Sequence, residues 1–118
     1  MQNLSITQQI EQMVEKNRNI DKFVDEYVEV LNNKTDSYNF YTSRGRRYIK
    51  ITEVVVDRDG KNTNQVSVHC FVDKNTGLVY KAAGWNAPAK GARFNLFQNK
   101  KALFEGVMRR PHGGYLYR

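Results

Sequence analysis

The spacing of apolar residues changes period once along this chain. Up to residue 31 they recur every three or four positions: Ile6, Ile10, Met13 and Val14, then Ile20, Phe23, Val24, Tyr27, Val28 and Leu31. That spacing lines one face of a helix. From Tyr38 the period falls to two, through Tyr48–Asp57, Val66–Asp73 and Leu78–Ala83. Successive strand side chains alternate between faces, so this pattern belongs to a sheet. One segment cannot satisfy both periods. The chain therefore reads as α+β, helices first and sheet after.

Local signals set the expected boundaries. Ser5 and Gln8 have capping-box spacing, which starts a helix over 5–17. Asn17–Asn19 interrupts the stripe, and Asn19 can cap a second helix with Asp21 near its positive end. That helix is expected to end at Asn32-Asn33 and to pack on the first as a hairpin or a kinked unit. In the next segment Ile49 and Ile51 share one face, Glu53 interrupts, and Val54 and Val56 continue on the other, which predicts a bulge near Glu53. Residues 57–62 read as a turn. Val66, Val68, Cys70 and Val72 are expected on one face of the following strand, with Ser67, His69 and Phe71 on the other. Asp73–Gly77 is a hairpin turn, because Asn75 and Gly77 tolerate positive φ. The expectation is a three-stranded antiparallel meander, one face under the helices and one wet. Gly84–Asn95 reads as irregular. A last helix is expected from about Phe97 to Arg109, with Leu103, Phe104, Val107 and Met108 apolar and a short final strand available at 115–118. The 118 residues are enough for one domain, 1–118, with a single modest core.

Most chemistries find no residues. No window approaches the roughly 18 apolar residues of a membrane span, and the N-terminus has no apolar signal-peptide core. One cysteine makes no internal disulfide, which suits a reducing cytosol. Neither histidine, His69 or His112, stands in a metal-ligand spacing. His69 and Cys70 are neighbours on a strand and should face apart, so they form no nucleophile–base pair. Asp57, Asp59 and Asp73 fall in turns, where capping the backbone explains them. Asp57-x-Asp59-Gly60-x-Asn62 lacks the distal glutamate of a calcium loop. There is no phosphate-binding glycine loop and no serine elbow. The expectation is a protein without catalytic residues, metal or cofactor.

Charge points to a partner. Residues 1–37 hold four basic and seven acidic residues, and residues 38–118 hold fifteen and five, for a net +7. A basic region joined to an acidic one suits a polyanion or the acidic face of a protein. The segment from Tyr80 to Asn95 interleaves Lys81, Lys90 and Arg93 with Tyr80, Trp85 and Phe94 among alanines and glycines. Aromatics stack on bases while lysine and arginine meet phosphates. Trp85 as a core plug over Pro88 and the alanines is the competing reading. Arg44, Arg46, Arg47 and Lys50 form a second basic cluster, and Lys100, Lys101, Arg109 and Arg110 a third. All three could share one basic face.

The stretch Val68–Lys81, continuing through Trp85–Leu96, resembles a segment of small uncharacterised proteins of tailed bacteriophages. The ending Gly113–Arg118 is similar as well. The resemblance covers about a third of the chain and implies a context only, the cytoplasm of an infected bacterium. The expected function is non-enzymatic binding of nucleic acid, single-stranded before duplex, with low sequence specificity. The expected contacts are Lys81, Trp85, Lys90, Arg93, Phe94, Arg44, Arg46 and Arg47. The alternative is an inhibitor of a host or anti-phage defence protein that occupies its nucleic-acid-binding site.

Overall fold

The computed structural model of the chain describes residues 5–110 and 114–116, with 13–18 as backbone alone. It is α+β, as the change of period requires. Helix α1 runs unbroken over Ile6–Lys34, so the expected pair of helices is a single element. Its start is the capping box: Gln8 N donates to Ser5 Oγ at 3.1 Å and Ser5 N to Gln8 Oε1 at 3.0 Å. Asn17–Asn19 does not break it, because neither Pro nor Gly is present and an interior Asn costs only about 0.7 kcal/mol. Capping at Asn19 would instead demand extended backbone there and the loss of a turn of hydrogen bonds.

Four main strands follow: β1 (Tyr38–Arg44), β2 (Tyr48–Val56), β3 (Asn62–Asp73) and β4 (Leu78–Gly84). Two short ones, β5 (Ala87–Pro88) and β6 (Phe94–Asn95), both pair along the far edge of β4. The order is β1-β2-β3-β4 with β5 and β6 outside, antiparallel throughout. The expected three-stranded sheet is thus an undercount. The segment 38–44 is a strand, and the stretch after Gly84 folds back onto β4. The outer edge of β1 is clasped by α1: Asn32 Oδ1 accepts from Phe40 N at 2.9 Å, and its Nδ2 donates to Phe40 O at 3.4 Å.

Helix α2 spans Lys100–Arg109, and a 3₁₀ turn spans Gly114–Leu116. That turn stands where the short final strand was expected; its remaining positions, 117–118, lie outside the described residues. The same holds for His112. The core lies between the helices and one face of the sheet. Ile20, Val24, Tyr27 and Leu31 of α1 meet Ile49, Ile51, Cys70, Val72 and Val79, and α2 adds Leu103 and Val107. Phe104 is half-buried against this core, but Met108, expected beside it, is 54% exposed. Gly77 closes the β3–β4 turn at φ +73°, and a Cβ there would stand 2.6 Å from the Phe97 ring. The first turns of α1 stand clear of the sheet, with Ile6 75% and Ile10 54% exposed.

Candidate functional site

The β2–β3 register shifts on either side of Glu53, near where the sequence suggested a bulge, and the shift that re-aims the sheet puts its extra residue on β3. Ile51 pairs with Cys70 and Thr52 with Val68, so His69 is the extra residue. A bulge residue shifts the alternation by one. Before it, Val66 and Val68 face away from the helices. After it, Cys70 and Val72 face the core, with Val66 45% exposed and Cys70 and Val72 fully buried. The expectation that all four share a face is corrected by that single residue. It also turns His69 inward beside Cys70, where two neighbours on a regular strand would have faced apart.

The buried side of the sheet therefore holds a polar chain. His69 is 5% exposed, and its Nε2 lies 2.6 Å from the Tyr115 hydroxyl. That hydroxyl also bonds the Tyr27 hydroxyl, which lies 3.5 Å from Cys70 Sγ. On the other side, His69 Nδ1 faces Glu53 Oε2 at 3.6 Å, and Ser67 Oγ donates to Glu53 Oε1 at 3.2 Å. A carboxylate facing Nδ1 favours the proton on that nitrogen. Nε2 then accepts from Tyr115, Tyr115 from Tyr27, and Tyr27 from the thiol, so each of these four buried groups has a partner. Burial pushes the Cys70 thiol up to about 12, with Glu53 adding to the rise and the Tyr27 bond opposing it. Burial raises both phenols as well. A thiol held protonated is a poor nucleophile. The chain joins β2, β3, α1 and the C-terminal turn as a structural tie.

Among the described residues no helix covers the opposite face of the sheet, and that face gathers rings and cations. Tyr48 and Lys50 alternate outward from β2, Phe71 from β3 and Tyr80 from β4. The Tyr48 ring stands edge-on to Phe71 at 5.9 Å and to Tyr80 at 6.1 Å. Trp85 and Asn86 form the two-residue turn between β4 and β5, since Gly84 pairs with Ala87. The indole projects from it, 52% exposed. Lys50 Nζ lies 4.5 Å from the Trp85 ring centre and 6.0 Å from that of Phe71, and it donates to Asn86 Oδ1 at 3.0 Å. The Arg47 guanidinium lies 5.1 Å over Tyr48 while its Nε donates to Asp73 Oδ2 at 3.3 Å. Ser43, Gly45, Arg46, Arg47, Tyr48, Lys50, Phe71 and Asn86 line a cleft of about 240 Å³.

The expected contact residues divide around this face. Trp85, Arg46 and Arg47 come together on it. Lys81 stands opposite Cys70 in register and so points to the other side of the sheet from Tyr80. Phe94 is 7% exposed, with its ring 6.0 Å from that of Tyr115, so it belongs to the core. Arg93 is half-buried, and its N–H donates to Val79 O at 2.7 Å; Lys90 is exposed in the loop before it. Arg44 pairs with Asp21 of α1, and Lys100 with Glu26 at 2.9 Å. The three basic clusters therefore do not share one face, because acids of α1 hold members of two of them on the helix side. Lys50, Tyr48, Phe71, Tyr80 and Asn86 were not among the expected contacts. The alternation within β2 already groups Tyr48 with Lys50, but only the register of three strands adds Phe71 and Tyr80.

Among the described residues, no group of His, Cys, Asp and Glu could hold a metal ion, and no helix is long and apolar enough to cross a membrane. No curated protein and no solved structure matches the chain. The sequence profile of a family does match, over residues 2–118, and by that match the chain belongs to a family of unknown function, DUF7717.

Proposed function

We propose that this is a small non-enzymatic protein that binds nucleic acid with low sequence specificity, through the open face of its sheet. The observation that carries the reading is the cation–ring array there: Lys50 between Trp85 and Phe71, and Arg47 over Tyr48. Trp85 offers an exposed π-face to any base, with the half-buried Tyr48 and Tyr80 beside it and the buried Phe71 beneath, and neighbouring cations meet the backbone phosphates. A single strand suits it better than a duplex, whose bases are already stacked on one another. The resemblance of 68–96 to tailed-phage proteins supports action in the cytoplasm of an infected bacterium.

The test is binding of a labelled single strand at two salt concentrations. With Arg46, Arg47 and Lys50 together displacing about three counterions from the strand, the slope of log affinity against log salt should be about −2. Affinity should then fall roughly twentyfold between about 50 and 200 mM salt. Binding that ignores salt, or none at low salt, rejects the reading. The alternative, an inhibitor of a host or defence protein that occupies its nucleic-acid site, has one observation in its favour. Ile6 and Ile10 are exposed on the part of α1 that stands clear of the sheet, as a contact for another protein would be. That reading predicts no affinity for free nucleic acid, and loss of inhibition in the Ile6→Asp, Ile10→Asp variant.

A further inference from the structure

The cleft beside Trp85 has a charge that the open face as a whole does not explain. Its lining holds three cations, Arg46, Arg47 and Lys50, and no acid. One carboxylate touches it: Asp73, whose side chain is 3% exposed and meets Arg47 only through Nε. The Arg47 side chain is otherwise 67% exposed. Lys50 gives one of its three donors to Asn86 and has two to offer. Ser43, Asn86, Tyr48 and Phe71 complete the lining, which pairs neutral polar groups and rings with the three cations. The local balance is three positive charges against one negative. A backbone phosphodiester carries a single negative charge and would leave the site cationic. A phosphomonoester carries about −1.5 to −2 at pH 7 and would neutralise it. At about 240 Å³ the cleft has room for a phosphate group but not for a duplex.

We infer that this cleft seats a terminal phosphomonoester on a nucleotide, the phosphorylated end of a single strand, with the adjoining base against Trp85. The inference rests on the nucleic-acid reading above and narrows it to strand ends. Arg46, Arg47 and Lys50 hold the phosphate oxygens, and the indole covers the neighbouring base. Two readouts test it: anisotropy of a short oligonucleotide labelled at one end, and fluorescence of Trp85, the only tryptophan in the chain. The oligonucleotide carries either a phosphate or a hydroxyl at its other end, 5′ or 3′ in turn. One phosphorylated form should bind about tenfold tighter than its hydroxyl counterpart, the scale of one charged hydrogen-bond set. It should also quench Trp85. Arg46→Gln and Lys50→Gln should each reduce that preference to about onefold with unchanged melting temperatures. Equal affinity for phosphorylated and hydroxyl ends overturns the inference while the nucleic-acid reading stands. Failure of every oligonucleotide to bind at low salt overturns both. A nucleoside monophosphate that binds as tightly as the phosphorylated strand keeps the phosphomonoester seat but assigns it to a free nucleotide. Tight binding of inorganic phosphate without Trp85 quenching overturns the nucleotide part.

Discussion

At the scale of single residues, Trp85 and Tyr115 show two opposite uses of an aromatic ring. Trp85 caps a two-residue turn and stands 52% exposed, so the core does not depend on it. Trp85→Ala should lose about 1–3 kcal/mol of single-strand binding, the scale of base stacking. A melting curve should show the parent's stability; unfolding would make the indole a structural plug. Tyr115 is 7% exposed, and its hydroxyl links His69 to Tyr27. Tyr115→Phe keeps the ring against Phe94 but leaves Nε2 of a buried imidazole without its donor. It should cost about 1–3 kcal/mol in denaturant unfolding, and nucleic-acid binding should be untouched. His69 carries the wider lesson. Sequence alternation separates it from Cys70, and the bulge brings both to the buried side. The interrupted alternation at Glu53 marks the place, but only the pairing register of two strands shows that the extra residue is His69.

At the scale of elements, α1 divides into a docked part and a standing part. Its stripe was plain in the sequence, and Ile20, Val24, Tyr27 and Leu31 are all buried. The stripe did not show where the sheet stops supporting it. Leu31→Ala should therefore destabilise by about 2–5 kcal/mol, as buried leucine truncations do. Ile10→Asp should change stability by no more than about 0.5 kcal/mol, the usual range at the surface. Chemical denaturation of both variants checks the division, and comparable losses would mean that the first turns are also part of the core. The sheet was legible in its centre and not at its edges. β2, β3 and β4 have enough alternating residues to show a period. β5 and β6 are two residues each, too short for any period, and exist because β4 offers an open edge. β1 was legible as an aromatic stretch but needs β2 beside it and Asn32 over its outer edge.

For the whole molecule, the charge segregation read from the sequence becomes a division between faces. The acidic residues of α1 hold Arg44 and Lys100 on the helix side, and the open side keeps Arg46, Arg47 and Lys50 around the half-buried Tyr48 and the exposed Trp85. The buried thiol and phenols make one global prediction. The Cys70 thiol rises from 9.0 to about 12 on folding, and Tyr27 and Tyr115 rise above 10.0. Each group favours its protonated form in the folded state. The stability it contributes is complete below its ordinary value and is lost as pH rises through the folded value. Stability should thus be flat to about pH 9 and fall from there toward pH 12, with phenolate formation deepening the loss above pH 10. Cys70→Ala should move the onset of that fall upward, toward pH 10, and denaturant midpoints across the range would show it. An onset that does not move would mean that the thiol ionises as freely folded as unfolded.

The class of the fold, the core stripe of α1, the central strands and the positive φ of Gly77 follow from local chemistry. Period, capping and turn residues act over a few positions, and their energies do not depend on the rest of the chain. Three matters needed the folded molecule: which strand carries the bulge, which cations are neutralised, and which rings share a face. Each depends on pairing between residues far apart in sequence. Arg44 and Arg46 are two positions apart, yet one is bound by Asp21 on the helix side while the other lines the open cleft. Phe94 and Trp85 looked alike as loop aromatics. One pairs back along β4 and is buried against Tyr115, while the other is held out on a turn by Gly84 and Ala87. Side-chain direction in a sheet is set by register, and register is a property of two chains of backbone meeting, which no single stretch of sequence contains.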